Sequence, residues 1–274
     1  QAVTGEEYMP ARAGHVNGET QFVLDYFGAE EPQLVEDVRT QVRDIEIRKT
    51  KGVDRGISLK TAWSLMQENN VVTIPCVTEE GVLEGVITIG DITKSYMNLY
   101  DSSIISKANT KYSNILDTLE GSIVVGDAEA YFDKGKVLIA AANPDLMENY
   151  IEKHDLVILG NRYESQLCAI EMEAGCIIVC EGAGVSLTIR KLAQERGCTV
   201  ITTPYDTYTT ARLINQSMPI SYFMTMENII GFSDEDPIDD IRDIMANKRH
   251  RDFPILDSDG KYLGMISRRN LLGA

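Results

Sequence analysis

The chain has 274 residues, of which 43% are apolar, and it carries a formal net charge of −16 at pH 7. This length is enough for one large core or two to three smaller ones. The acidic balance excludes nucleic acid as the expected partner, because binding a phosphate backbone requires a basic face. The sequence has no run approaching the 18 or so consecutive apolar residues that would predict a membrane span, so no membrane partner is expected either. The five cysteines lack zinc-binding spacing, and we expect reduced thiols in a cytoplasmic protein.

The first 49 residues contain no pattern that predicts a catalytic metal centre. The stretch "GHVNGET" places His15 close to Asn17, but the aspartates that a metal-binding motif needs do not come directly after it. The two other histidines, His154 and His250, lie far along the chain. Since a two-metal hydrolytic centre requires about six to eight clustered nitrogen and oxygen ligands, we predict no catalytic residue and no bound metal.

Residues 50–104 predict a helix, a strand, a turn, a second strand and a second helix. Apolar residues recur at helical spacing in "KTAWSLMQENN", and "IPCV" and "LEGVIT" predict strands around the turn "TEEG". The second strand ends at Thr88, where a hydroxyl would lie beside the free N–H groups of a helix start, a favourable place for an anion. Asp91 faces the same way and suits a ribose diol. The alternative is a capping box between Thr88 and Asp91, which stabilises a helix by about 1 kcal/mol.

Residues 105–218 have a different hydrophobic pattern, in which short apolar runs alternate with amphipathic stretches. Strands are predicted at "GSIVVG", "KVLIAAA", "DLVILG", "GCIIVCEG" and "CTVITTP", and helices at "NPDLMENYIEK" and "LTIRKLAQERG". This alternation predicts a largely parallel α/β sheet. The glycine turn Gly182-Ala183-Gly184 lies between a strand and a helix and could hold a phosphate, although it lacks the third glycine of a dinucleotide fingerprint.

Residues 219–274 repeat the first pattern at a constant offset of 179 residues, with "DFPILDSDGKYLGMISRRNL" aligned without a gap to "TIPCVTEEGVLEGVITIGDI". Ser267 takes the place of Thr88, and Asn270 takes the place of Asp91. A capping box is again the alternative, whereas a ligand site would use Asn270 as both donor and acceptor. Because one such unit exposes an apolar sheet face, two copies are expected to cover each other.

The second repeat also contains the densest basic cluster of this acidic chain. "NKRHRDFP" carries Arg249 and Arg251 just before the first strand, and Arg268 follows Ser267. We predict that these three arginines neutralise a phosphate; a solvated loop is the alternative. Tyr222, in "PISYFMT", is predicted to stack on an adenine ring. Since the first repeat has fewer cations, we expect the second to hold the tighter site.

The two repeats resemble CBS domains, which occur in tandem as a Bateman module. The family hallmark G-h-x-[ST]-x-x-D is matched by residues 85–91 and, with Asn270 in place of the acid, by residues 264–270. The stretch between them is similar to the DRTGG domain, with Gly160-Asn161-Arg162 and residues 181–184 at its two motifs. "VNGETQFVLDYF" resembles the second part of the DHH domain of family II inorganic pyrophosphatases, one branch of which has this order of domains. The resemblance implies a mixed α/β fold with tandem CBS domains and an inserted α/β DRTGG domain.

The resemblance also implies a division of the chain and a function. The implied units are a partial DHH-like segment (1–49), CBS domain 1 (50–104), a DRTGG-like domain (105–218) and CBS domain 2 (219–274). They would form the adenine-nucleotide-binding regulatory region of an inorganic pyrophosphatase, inhibited by AMP and ADP, activated by ATP or diadenosine polyphosphates, and signalling through a CBS homodimer. The manganese or cobalt ligands of such a hydrolase are not in this sequence, so we do not expect the chain itself to be an enzyme.

The implied site uses residues of both repeats. Thr88 and Ser267 would contact phosphate or sugar, and Asp91 and Asn270 would hold ribose hydroxyls. Three alternatives stay open: a ligand-free dimerisation scaffold, a stand-alone nucleotide-sensing protein, and an enzyme centred on the glycine turn of the insert.

Overall fold

The computed structural model describes residues 9–35, 37, 39–97, 101–248 and 250–271. Its amino-terminal segment contains a short parallel strand pair and one helix: β1 (Ala11–Arg12), α1 (Gly18–Phe27) and β2 (Gln33–Leu34). The side chain of Asn17 caps α1, and Gly28 ends it in the left-handed conformation. No residue of α1 is buried, and its aromatic side chains Phe22, Tyr26 and Phe27 are exposed.

The first repeat has the predicted order of elements. They are α2 (Leu59–Glu68), β3 (Thr73–Val77), β4 (Leu83–Thr88) and α3 (Ile89–Met97). β3 and β4 pair antiparallel, with a bulge between Cys76 and Val77. Ala62 and Met66 of α2 are buried in the core, as the helical spacing predicts.

The insert between the repeats is built on one central sheet. Its elements are α4 (Ile104–Lys107), β5 (Thr110–Lys111), α5 (Tyr112–Thr118), β6 (Ser122–Val125), β7 (Tyr131–Phe132), β8 (Val137–Ile139), α6 (Pro144–Met147), β9 (Leu156–Leu159), α7 (Tyr163–Glu171), β10 (Cys176–Val179), α8 (Leu187–Arg196), β11 (Thr199–Thr202) and α9 (Thr207–Leu213). The sheet has the order β6-β11-β10-β9-β8, in which β8 to β11 are parallel and β6 is antiparallel to β11. The prediction of a largely parallel α/β sheet is therefore confirmed.

Both faces of this sheet are buried, and they belong to two different cores. Leu156 and Ile158 of β9 join a core that continues into the first repeat, whereas Val157 and Leu159 join a core beneath α6, α7 and α8. Helix α6 is shorter than "NPDLMENYIEK" predicts, because successive turns after Met147 bring Ile151 into that second core. The insert and the first repeat thus fold around shared apolar surface.

The second repeat reproduces the first in detail. Its elements are β12 (Phe232–Ser233), α10 (Ile238–Ala246), β13 (Asp252–Leu256), β14 (Tyr262–Ser267) and α11 (Arg268–Leu271). β13 and β14 begin and end at the residues equivalent to those that bound β3 and β4, and a bulge again falls at the equivalent place, between Ile255 and Leu256. Ile241 and Met245 of α10 are buried in the core, whereas Ile244 of the same helix is 41% exposed.

Each repeat is completed by the segment that leads into the other one. Arg48, which precedes the first repeat, pairs antiparallel with Met265 of β14, and Thr225, which precedes the second, pairs with Val86 of β4. The first residue of each hallmark is a glycine, and it makes this close pairing of distant segments possible. A Cβ on Gly264 would lie 2.9 Å from the carbonyl oxygen of Arg48, and a Cβ on Gly85 would lie 2.8 Å from that of Thr225. Glycine is required at both positions by this close approach of backbone.

Candidate functional site

Two neighbouring cavities lie between the repeats, one at each junction of strand and helix. The Thr88 cavity has a volume of about 470 Å³, and the Ser267 cavity has a volume of about 740 Å³. His250, Arg251 and Asp252 line both cavities. The basic loop of the second repeat therefore borders both cavities, whereas Lys248, Arg268 and Arg269 border the Ser267 cavity and not the Thr88 cavity. The expectation of a tighter second site stays a prediction.

Thr88 and Asp91 form a capping box at the start of α3. The N–H and the hydroxyl of Thr88 donate to Oδ2 of Asp91 at 2.9 and 2.6 Å, and the N–H of Asp91 donates to Oγ1 of Thr88 at 3.2 Å. The capping interpretation is thus correct for this junction. It does not exclude a ligand, because among the described residues none donates to Oδ1 of Asp91, which is left to accept a hydrogen bond from a ribose hydroxyl.

The second junction repeats two of these three hydrogen bonds and adds a different third one. The N–H and the hydroxyl of Ser267 donate to Oδ1 of Asn270 at 3.0 and 2.7 Å. Nδ2 of Asn270 donates at 3.2 Å to the carbonyl oxygen of Glu46. Glu46 lies in the segment 46–48, here called the crossing segment, which pairs with β14 at Arg48. An aspartate could not make this third bond, since a carboxylate only accepts. The departure from the hallmark therefore fastens the crossing segment to the start of α11.

The predicted phosphate-binding arginines lie in different settings. Arg251 is exposed and borders both cavities. Arg268 borders the Ser267 cavity, but its Nη2 donates to the carbonyl oxygens of Met245 (2.6 Å) and Lys248 (2.9 Å), so that it also holds the end of α10. Arg249 lies outside the described residues.

Two further residues of the Ser267 cavity were missed by sequence reasoning. Nη1 of Arg48 lies 3.5 Å from Oδ1 of Asp252, whose side chain is only 5% exposed. Burial raises the pKa of Asp252, and the charge of Arg48 opposes that increase. No local pattern places Arg48 there, because it reaches the second repeat only through the crossing of the chain.

Tyr222 is not brought to these cavities. It ends a 3₁₀ helix (Ile220–Tyr222), its ring packs edge-on against Phe223 at 5.0 Å, and it is 46% exposed. The described residues that line the Thr88 and Ser267 cavities do not include it. Its predicted stacking on adenine stays a prediction that would require the ligand to extend beyond them.

The glycine turn of the insert has little capacity left for a phosphate. The N–H groups of Glu181 and Gly182 donate to the carbonyl oxygens of Tyr205 (2.8 Å) and Thr203 (2.9 Å). A phosphate loop needs such N–H groups unpaired. Since the neighbouring loop already takes two of them, this turn is a poor candidate for the main anion site.

Within the described ranges, no group of three or more His, Cys, Asp or Glu side chains is placed to hold a metal ion. None of the helices in those same ranges has the length and apolar character needed to cross a bilayer.

Comparisons with known proteins agree with this architecture. The DRTGG domain family matches residues 114–217, and the CBS domain family matches residues 42–98 and 221–274. The cobalt-dependent inorganic pyrophosphatase of Clostridium perfringens is 38% identical over 264 residues, which are 96% of this chain and 48% of that protein. The probable manganese-dependent inorganic pyrophosphatase of Thermotoga maritima is 26% identical over 268 residues, which are 98% of this chain and 48% of that protein. The chain thus spans about half the length of these curated relatives.

One solved structure is similar over its whole length. It is the crystal structure of the CBS and DRTGG domains of the regulatory region of Clostridium perfringens pyrophosphatase, complexed with the activator diadenosine tetraphosphate. It is 35% identical, aligns with a TM-score of 0.80, and the alignment covers 84% of this chain and 100% of that one. The chain therefore belongs to the family of CBS–DRTGG regulatory regions of pyrophosphatases.

Proposed function

We propose that this chain is the adenine-nucleotide-binding regulatory region of an inorganic pyrophosphatase. The observation that carries the proposal is the charge of the Ser267 cavity. Among its described lining residues, five are arginine or lysine and one is a carboxylate, in a chain of net charge −16. Cations gathered at one cavity of an acidic protein favour an anionic ligand. The activator bound to the similar Clostridium perfringens region, diadenosine tetraphosphate, is such an anion.

The ligand would use both hallmark junctions. The hydroxyls of Thr88 and Ser267 would contact phosphate or sugar, and Asp91 would accept from a ribose hydroxyl through its unused Oδ1. Asn270 would offer the second hydrogen of Nδ2, because its Oδ1 already accepts two bonds. Arg251 would neutralise phosphate in either cavity, with Arg249 and Arg268 as further cations. AMP and ADP would act as inhibitors, and ATP or diadenosine polyphosphates as activators.

The mechanism we propose is a population shift. The ligand would change the parent enzyme only through its different affinity for two arrangements of a CBS homodimer. Exposed apolar side chains on the helices of both repeats, namely Trp63, Tyr96 and Ile244, are consistent with a partner chain there. Hydrolysis of pyrophosphate, with manganese or cobalt, would belong to the rest of the parent protein, and this chain would supply no catalytic residue. The division at residues 49, 104 and 218 and the cytoplasmic location are parts of the same proposal.

Calorimetric titration tests this proposal and its alternatives. The chain would be titrated with AMP, then with ATP and diadenosine tetraphosphate, in parallel with Arg251→Ala and Asn270→Ala. Arg196→Ala, which changes an exposed arginine of the insert, is the matched control. Binding that weakens in Arg251→Ala, which changes a lining residue of both cavities, and in Asn270→Ala, but not in the control, would support the nucleotide sensor. No heat with any of the three ligands would contradict it and favour a dimerisation scaffold, whereas turnover of a nucleotide would favour an enzyme.

A further inference from the structure

Arg48 lies before the helix and strands of the first repeat, near the start of the first CBS match, yet it contacts the second repeat. Its backbone is hydrogen-bonded in both directions to Met265 of β14, at 3.0 and 2.8 Å. Its side chain reaches the Ser267 cavity and forms an ion pair with Asp252. The guanidinium is 39% exposed and the carboxylate is 5% exposed, so that the arginine is the accessible partner of this pair.

An anionic ligand would compete with Asp252 for the guanidinium of Arg48. A phosphate in the Ser267 cavity brings negative charge close to the buried carboxylate of Asp252, which repels it. The same phosphate attracts Arg48, whose planar guanidinium can bind two oxygens at once. Arg48 would then lie between two acceptors, one fixed in the cavity wall and one supplied by the ligand.

We propose that Arg48 is a nucleotide-phosphate-binding residue, released from Asp252 when a ligand fills the Ser267 cavity, and that the segment 46–48 thereby carries the occupancy of the cavity towards the amino-terminal segment. The proposal rests on the proposed function, because it requires a phosphorylated ligand in that cavity. It adds a ligand contact by a residue outside the hallmark. It also adds a route by which ligand binding in the cavity affects the amino-terminal segment.

The route follows the chain through contacts with the second repeat. Nδ2 of Asn270 holds the carbonyl of Glu46, two residues before Arg48. Val42 is buried in the core of the second repeat, and its N–H donates to the carbonyl of Asp236 at 3.1 Å. Arg39 forms an ion pair with Asp240 at 3.2 Å. A shift of Arg48 would therefore act on a segment that is fastened at several points between the cavity and α1.

Binding of AMP and of adenosine, which lacks the phosphate, would test the role of Arg48. We expect Arg48→Gln to weaken AMP binding by about tenfold, the effect of one charge-assisted contact, and to leave adenosine binding unchanged. Asp252→Asn should strengthen AMP binding several-fold, because it removes both the repulsion and the competing acceptor. Arg55→Gln is the matched control, since Arg55 is 47% exposed and pairs with Glu84 away from both hallmark cavities.

Hydrogen exchange of a peptide that spans residues 42–49 would test the route. We expect AMP to slow its exchange in the wild type and to have no effect on it in Arg48→Gln. Equal AMP affinity of Arg48→Gln and Arg55→Gln would overturn the inference, and so would an equal loss of AMP and adenosine binding, which would show a structural role. If the wild type binds neither ligand, the proposed function itself fails.

Discussion

Replacing Gly264 by alanine would push a methyl group into the segment that crosses from the first repeat to the second. The added Cβ would lie 2.7 Å from Cδ1 of Ile47 and 2.9 Å from the carbonyl oxygen of Arg48. The oxygen is backbone and cannot rotate away, so the segment must move. Overpacking of this kind costs about 1–3 kcal/mol. Loss of the two backbone hydrogen bonds between Arg48 and Met265 would add about 0.5–1.5 kcal/mol each.

The free energy of unfolding should therefore fall by about 2–6 kcal/mol in Gly264→Ala. Urea denaturation followed by far-ultraviolet circular dichroism would measure it. The control is Gly90→Ala, because a Cβ at that position in the first turn of α3 would meet only Oγ1 of Thr88, at an ordinary 3.4 Å. This variant should change the free energy of unfolding by less than about 1 kcal/mol. A Gly264→Ala protein within about 0.5 kcal/mol of the wild type would refute the crossing of the segment at this position.

Three other variants or reactions test separate parts of the structure. Burial raises the pKa of Asp252 above its ordinary 3.8, so the free energy of unfolding falls as the pH rises from 3.8 through the raised value. Asp252→Asn should therefore raise the urea midpoint at pH 7. This gain should vanish as the pH falls towards 3.8. Ser58→Ala removes the cap of α2 and should cost about 1 kcal/mol, whereas Ser103→Ala, at a position that makes no cap bond, should cost less in the same denaturation assay. Burial raises the pKa of Cys76 to about 12, so iodoacetamide at pH 8 should label it only in urea, as mass spectrometry would show.

The repeats could be predicted from sequence because local patterns determine them. Helical spacing, β-strand runs and a glycine turn recur at a fixed offset, and the strands begin and end where that offset requires. The hallmark glycines were recognised as a motif, but their physical reason was not. Gly85 and Gly264 make room for backbone of a distant segment, and no local pattern shows which segment that is.

The candidate site was predicted in part for the same reason. Thr88 and Ser267 were found because hydroxyls at helix starts have a sequence signature. Arg48 and Asp252 were missed, since their encounter depends on the crossing of the chain. The expectation of a tighter second site stays a prediction: the Ser267 cavity has more cations among its described lining residues, but Arg251 borders both cavities. When two repeats pack with pseudo-symmetry, a residue of one repeat can line the cavities of both. Sequence reasoning assigns such a residue to its own repeat alone.

The most direct test of the nucleotide site is photolabelling of the chain with 8-azidoadenosine monophosphate, followed by peptide mapping. The account predicts that label appears in peptides lining the two cavities, around residues 70–73, 88–90 or 250–252, and that unlabelled AMP suppresses it. Label concentrated at residues 181–184 of the insert, or label that AMP does not compete away, would contradict the account.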